Sequence, residues 1–488
     1  MRLSASDFQT KFRPSECDLR IYLRNQNIPE AEPGPYEQVL RILGQRHEER
    51  HLATFEIVVD LSQGSEDERF AQSLKAIEAG KQVLYQPVLI TQSVINNIDC
   101  IIRGDPDFLI NENGEYVIRD CKMSRRINNN DHPEILRQLE LYGWLYEKVI
   151  GKPSRRLEVL SGASEIVEVP YDGGAAALEL LGEIAEIKQC ENEPFSPVGW
   201  TKCGSCPFHN RCWPQAEQRH DVALVLKVDK GLARALRDEG VNSYEELLDH
   251  FDEKELAEFK RPWGTRMQRV GKNADQIIRS ARSLATGNAL MMQTPEIPAS
   301  PYYVMFDLEG LPPQLDELDK VYLWGLQVFG EQSGEFIAAV AGFGERGDEE
   351  GWNEFLQAAD RIFDEHADIP FVHWHHYERV KIDAYVKRYG DTQGIAARVR
   401  SNLLDLLPIT QKSIVLPLPS YSLKVVEHYV GFERKEEEYG GDWAMAKYIE
   451  ATETEDEGLR KEVMDLILAY NREDLEATWA VFQWLRSQ

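Results

Sequence analysis

An α/β protein of several domains is the expectation for this 488-residue chain. The first 220 residues alternate strand-like and helix-like patterns, residues 221–295 read as short helices only, and a new strand from Tyr302 opens an α/β pattern that runs to the end. At roughly 150 residues per domain, that length agrees with three units. The expected boundaries are 1–220, 221–295 and 296–488. Hydrophobic residues make up 42% and charged residues 28%, the balance of a folded, soluble chain. No apolar run approaches the ~18 residues of a membrane span, so no membrane partner is expected. The opening Met1-Arg2-Leu3-Ser4-Ala5 lacks the apolar stretch of a signal peptide, which points to the cytoplasm.

Fifty-five basic residues against eighty-three acidic ones leave a net charge of −28. That opposes diffuse adhesion to nucleic acid but leaves room for a local basic groove. Seven cysteines are too few and too scattered for a disulfide scaffold, and clustered ones in such a chain are more often metal ligands.

In the first unit, Cys100 to Ile110 reads as a strand approaching a turn, Asn111-Glu112-Asn113-Gly114 as a hairpin signal, and Tyr116 to Lys122 as the returning strand. Alternation places Asp120 and Lys122 on one face, with Asp107 across the hairpin. Two carboxylates with a lysine suit metal-assisted phosphodiester hydrolysis. The carboxylates hold Mg²⁺ or Mn²⁺ through oxygen, and the lysine orients or activates water. The plain alternative is a surface Asp–Lys pair on an ordinary hairpin. Upstream, Leu40, Leu43 and His47 share one helix face, which turns His47 inward. Downstream, Gln138 and Tyr142 lie one turn apart on a stripe that should be buried.

This ordered set resembles the RecB-like branch of the PD-(D/E)xK nucleases. That family carries an inward His or Glu on an early helix, here His47, and a Gly-x-x-Asp segment, here Gly104 to Asp107. An Asp/Glu-x-Lys strand and a Gln-x-x-x-Tyr helix follow, here Asp120 to Lys122 and Gln138 to Tyr142. The resemblance implies a restriction-endonuclease-like fold, with His47, Asp107 and Asp120 on the metal and Lys122, Gln138 and Tyr142 completing the catalytic set.

Cys203, Cys206 and Cys212 follow a Cys-x2-Cys-x5-Cys pattern and need a fourth ligand. Cys17 is the best candidate; His209 with zinc, or no metal, are the alternatives. One distant N-terminal cysteine with three C-terminal ones resembles the iron–sulfur staple of some RecB-like nucleases. It implies a structural [4Fe–4S] cluster pinning the two ends of the domain. Cys100, Cys121 and Cys190 read as packing residues.

Residues 221–295 contain short helical segments joined by Gly240-Val241 and Val270-Gly271, which resemble helix–hairpin–helix modules. Such modules hold nucleic-acid backbone with amides at helix N-termini. From Lys260 to Arg282 there are seven basic residues and one acidic, Asp275. Lys260, Arg261, Arg266, Arg269 and Lys272 are the candidate phosphate contacts. The alternative is a solvated helical linker.

In the last unit, alternation along Tyr302 to Gly310 puts Asp307 and Glu309 side by side. In the final helix, Tyr470 and Asp474 share the stripe of Leu466, Ile467, Ala477 and Val481. An aspartate there is costly unless it is paired or holds a metal. The set resembles the tyrosine-type DEDD exonucleases of the RNase H-like superfamily, in their YprB-like form. Their middle motif, Asn-x3-Phe/Tyr-Asp, corresponds to His373 through Glu378, with His for Asn and Glu for Asp. Asp405 is the fallback carboxylate. The resemblance implies two Mg²⁺ or Mn²⁺ ions among Asp307, Glu309, Glu378 and Asp474, with Tyr470 positioning water for 3′–5′ hydrolysis.

The whole chain then reads as a metal-dependent nuclease for single-stranded or branched DNA in repair, recombination or defence, with a helicase as a candidate partner. The rivals are an RNA exonuclease, and a binding scaffold in which one module does not cut.

Overall fold

The structure, a computed structural model, describes residues 1–264, 266–312, 318–342, 344–435 and 440–488. It divides into two compact units. The first comprises Met1–Pro33, Glu37–Ser196 and Thr201–Arg211, and the second Gly34–Tyr36, Pro197–Trp200 and Cys212–Gln488. The stretch expected as a separate connector belongs to the second unit. Its strand Leu290–Met291 pairs antiparallel with Ile414–Val415, and Ser283 Oγ donates to the Val415 carbonyl at 3.2 Å. These ties satisfy backbone groups that a free linker would leave to water. Among the described residues, no helix is long and apolar enough to cross a membrane.

The first unit is built on a six-stranded sheet in the order Val59–Asp60, Val83–Tyr85, Phe108–Glu112, Glu115–Cys121, Arg156–Leu160, Ile166–Val169. Phe108–Glu112 and Glu115–Cys121 form the expected hairpin, with Asn111 opposite Tyr116. The next strand, Arg156–Leu160, runs parallel to Glu115–Cys121, so the chain must cross over. Helix Pro133–Ile150 makes that crossover and buries Leu139, Leu141 and Leu145 in the core.

The strand expected over Cys100 to Ile110 is two strands in two sheets. Ile98–Gly104 pairs with Leu89–Ile95 and Arg2–Ser4, and Phe108–Glu112 joins the six-stranded sheet. Pro106 lies in the break between them, and proline can donate no ladder hydrogen bond.

The second unit contains a five-stranded sheet in the order Phe336–Val340, Lys320–Gly330, Tyr302–Leu311, Phe371–His373, Leu403–Asp405. Antiparallel pairing holds the first three strands, and parallel pairing adds the last two. The final helix, Glu457–Ser487, packs Leu475, Val481 and Phe482 into a core with Tyr303, Met305 and Val372. Leu466, placed on its buried stripe by periodicity, is instead 38% exposed, while Val463 and Ile467 beside it are buried, so the stripe is centred on those two positions.

The connector is not all-helical. Helices Lys230–Asp238, Tyr244–His250 and Glu253–Glu258 are followed by a hairpin of Lys260–Trp263 against Arg266–Arg269. Pro262 bars a continuous helix there, and Gly264 sits in the turn at φ 58°. Helix Ala274–Thr286 closes the segment.

Candidate functional site

Asp120 is fully buried on strand Glu115–Cys121 and forms an ion pair with Lys122. Apart from that pair neither Asp120 oxygen has a hydrogen-bond partner. Asp107 follows the Asp-Pro break, and its Oδ2 accepts from the Cys121 amide at 2.7 Å. Gln86 Nε2 lies 3.3 Å from Asp107 Oδ1 and donates to Glu48 Oε1 at 2.5 Å, bridging the two carboxylates.

Burial pushes the Asp107 carboxyl well above its ordinary range, and Asp120 and Glu48 add to the effect against Lys122. Burial alone would lower the Lys122 ammonium, but Asp120 and Asp107 outweigh it and hold the charge on. Three carboxylates against one lysine leave two negative charges uncompensated when all are ionised. An all-oxygen donor set of that charge, with unsatisfied oxygens on Asp120, fits Mg²⁺ or Mn²⁺.

His47 is not part of this network. It is half-buried on helix Pro35–Leu52, and its Nε2 lies 3.2 Å from the Leu160 carbonyl on the neighbouring strand. Its neighbour Glu48 faces Asp107 instead, since one residue turns a helix by about 100°. The motif admits either residue type, so a glutamate beside the histidine was the available signal.

The other two expected residues are brought together. Gln138 Nε2 donates to Tyr142 Oη at 2.7 Å, and Tyr142 Oη donates to the Asp105 carbonyl at 3.0 Å. Gly104 makes this possible: a Cβ there would lie 2.7 Å from both Tyr142 and Leu145. A cavity of about 520 Å³ is lined in part by Lys122, Gln138, Tyr142 and Arg103.

In the second unit, ligand oxygens of Asp307, Glu309 and Asp474 lie within 4.8 Å of one another. Among the described residues this is the only such group of three His, Cys, Asp or Glu ligands. Asp307 and Glu309 come from the central strand, and Asp474 from the final helix. Asn471, one turn before Asp474's next neighbour, donates from Nδ2 to Asp307 Oδ2 at 2.8 Å. Gly325, opposite Asp307 in the register, leaves that space; a Cβ there would lie 1.8 Å from Asn471 Oδ1.

Burial pushes Asp307 and Glu309 well above the usual carboxylate range, and Asp474 adds to both. Burial also raises Asp474, against the opposing pull of Arg434. That arginine, with a side chain only 5% exposed, donates from Nη2 to Asp474 at 2.5 Å and from Nε to Glu427 at 2.5 Å. The hard oxygen donors and mutual repulsion of this trio fit Mg²⁺ or Mn²⁺.

Glu378 stands beside the trio rather than within it. It adds to the raised pKa of Asp307, yet its Oε2 faces His373 Nδ1 at 3.0 Å, both side chains being buried. The same Nδ1 lies 2.6 Å from the His375 carbonyl, so the proton sits on Nδ1. Asp405, the fallback, accepts from the His375 and Leu407 amides at 3.0 Å each, and so serves as a cap. Tyr470 is buried, with the Arg434 guanidinium 5.7 Å from its ring centre. Arg434, Glu427 and Asn471 carry no local sequence signal that would have singled them out.

The cysteines are less organised. Cys17 Sγ donates to Ser196 Oγ at 3.3 Å, and the Cys206 amide donates to the Cys203 carbonyl at 3.0 Å. Burial pushes the Cys206 thiol up, and the nearby Cys17 and Cys203 thiols add to it against the pull of Arg20. Among the described residues, no group of three ligand atoms within 4.8 Å of one another includes a cysteine. Cys100 and Cys121 are buried as expected of packing residues, whereas Cys190 is exposed beyond the end of helix Ala175–Gln189.

Lys260, Arg261, Arg266 and Arg269 lie on the hairpin and Lys272 in the 3₁₀ turn after it, not on helices.

Comparison with known proteins agrees with this geometry. Residues 26–213 match the model of the PD-(D/E)XK nuclease superfamily, and residues 304–486 match that of the RNase H superfamily. The chain therefore carries one domain of each superfamily, and the two matches support a nuclease. No curated protein matches its sequence. Among solved structures, the chain titled "Crystal structure of SSO0001" aligns at 15% identity over 36% of this chain and 96% of that one, with a TM-score of 0.20. A value that low supports nothing further.

Proposed function

We propose that the protein is a divalent-metal-dependent exonuclease acting on single-stranded or branched DNA, with 3′-directed hydrolysis at Asp307, Glu309 and Asp474. The convergence of these three carboxylates on the sheet of an RNase H-superfamily domain carries the reading. Mg²⁺ or Mn²⁺ held there supplies an activated water and neutralises the charge that develops on the phosphate. The chain's own residues set the stage. Asn471 orients Asp307, Arg434 and Glu427 fix Asp474, and protonated Nδ1 of His373 holds Glu378 at the edge of the site. Tyr470, buried beside Asp474, is the candidate for orienting water.

In the first unit, Asp107 and Asp120 provide a second metal centre, and Lys122 supplies a fixed positive charge for the scissile phosphate. The iron–sulfur assignment rests on cysteine spacing alone, and iron and acid-labile sulfide analysis of anaerobically purified protein decides it.

The test is digestion of one single-stranded DNA, labelled at either end, with Mn²⁺ and with EDTA. Stepwise loss from the 3′ end is expected, and it should vanish in Asp474→Ala. Internal or 5′-directed cuts that survive Asp474→Ala would move the working chemistry to Lys122. No metal-dependent cleavage of DNA would overturn the proposal, and cleavage of RNA alone would replace its substrate.

A further inference from the structure

The basic hairpin has features that neither acidic centre explains. Its register is Lys260 to Arg269, Arg261 to Gln268, Pro262 to Met267 and Trp263 to Arg266. Directly opposed residues share a face. One face therefore carries Arg261, Trp263, Arg266 and Gln268, and the other Lys260, Pro262, Met267 and Arg269. No third strand joins it among the described residues.

Two large apolar side chains stand in solvent near its tip: Trp263 is 59% exposed and Met267 62%. From Phe259 to Ala274 there are five basic residues and no acidic one, in a chain of net charge −28. Lys260, Arg266 and Lys272 have no ion-pair partner among the described residues, and the pair between Arg269 and Glu258 is open to solvent.

A lone two-stranded hairpin is marginally stable in water. This one is anchored at its base. Arg261 pairs with Asp229 at 2.6 Å while its guanidinium lies 4.3 Å from the Trp263 ring centre. The Val270 amide donates to the Phe259 carbonyl at 2.9 Å, closing the hairpin's stem. Gly231, at the start of helix Lys230–Asp238, packs closely on the hairpin: a Cβ there would sit 3.1 Å from the Pro262 carbonyl. The tryptophan thus has a cation stacked on its ring while more than half of its side chain stays in solvent.

We propose that this hairpin is a single-strand nucleic-acid contact, in which Trp263 stacks on a base while Lys260, Arg266 and Lys272 meet neighbouring phosphates. The inference names how the proposed nuclease holds its substrate and rests on that reading only for the choice of polymer. Phosphates account for the unpaired cations, but a duplex offers no open base face. A single strand offers both groups at once, and base–aromatic stacking tolerates any sequence.

The test uses the full chain in EDTA, so that binding is read without cleavage, with a fluorescein-labelled oligo-dT and a blunt duplex. Trp263→Ala should weaken oligo-dT binding about 10-fold and leave the salt dependence unchanged, whereas Trp263→Phe should retain most of the affinity. Lys260→Ala with Arg266→Ala should reduce the slope of log K against log salt by about 1.4. Unchanged melting temperatures confirm that the variants fold.

Unchanged oligo-dT affinity in Trp263→Ala would overturn the proposal. Equal weakening of duplex binding would also overturn it, making the hairpin a backbone clamp. So would equal Trp263 dependence of heparin binding, which marks a general polyanion surface. Failure here leaves Mn²⁺-dependent cleavage intact, and failure of the nuclease reading leaves this binding intact, so the two are separable.

Discussion

In the first unit the buried carboxylate Asp120 is neutralised by a lysine two residues further along its own strand. In the second unit Asp307, Glu309 and Asp474 come from two elements and are met by Arg434, which lies on a third segment 40 residues before Asp474. Lys122 is 27% exposed at its side chain and borders a cavity. Arg434 is 5% exposed and shared between Asp474 and Glu427, which suits it to hold an acidic trio together. The same charge problem is solved locally in the first unit, by a lysine on the same strand, and at long range in the second, by an arginine from another segment.

Several experiments break or sharpen that contrast. The largest effect belongs to the reacting groups. Asp474→Ala combined with Lys122→Ala should remove all divalent-dependent cleavage, each single variant removing one product pattern by about 10²–10⁴-fold. End-labelled product ladders read this, and full turnover in Lys122→Ala within an Asp474→Ala background would discard the first centre.

Next comes Arg434→Ala. Removing one partner of a buried ion pair costs about 3–5 kcal/mol. Mn²⁺ should recover more of the lost melting temperature in this variant than it adds to the wild type, because the ion supplies the missing cation. Lys122→Ala, at a more exposed site, should cost the apo protein less. Equal losses would erase the distinction between the two cations.

Gly325→Ala should cost about 1–3 kcal/mol by overpacking, because the new methyl group displaces Asn471 from Asp307. Isothermal titration should show weaker Mn²⁺ binding at the second centre with the first centre unchanged.

The smallest expected effect is on pH. Burial raises Asp307 and Glu309 in the folded state above their unfolded values of about 4. Groups shifted that way add stability that is complete below the unfolded pKa and is lost as pH rises through the folded one. In EDTA, therefore, the Asp307→Asn variant should gain on the wild type as pH rises from about 5 to 8. Metal stabilisation of the wild type should grow over the same range, because protons and the ion compete for the same oxygens. A difference in melting temperature that does not change with pH would refute the shifts.

Local patterns were legible where they repeat within one element. Alternation placed Asp120 with Lys122 and Asp307 with Glu309, and helical spacing placed Gln138 with Tyr142 and Tyr470 with Asp474. The same rules misjudged phase and context elsewhere. Helical spacing points to His47, whereas it is Glu48 that faces Asp107, because neighbouring residues on a helix differ by about 100° in direction. The Lys260–Arg269 stretch lies among helical neighbours yet forms a hairpin, for which Pro262 and Gly264 are the local signals.

By itself the sequence determined which acidic residues share a face within one strand or helix, and that an α/β pattern recurs in the first and last parts of the chain, because side-chain periodicity and turn chemistry act over a few residues. Only the tertiary structure decided that Arg434 and Glu427 brace Asp474, that Glu378 is held by His373 beside the trio, and that Gly325 admits Asn471 to Asp307. Those contacts join residues up to 164 positions apart, where no local period links them and only the packing of the final helix on the sheet brings the groups together.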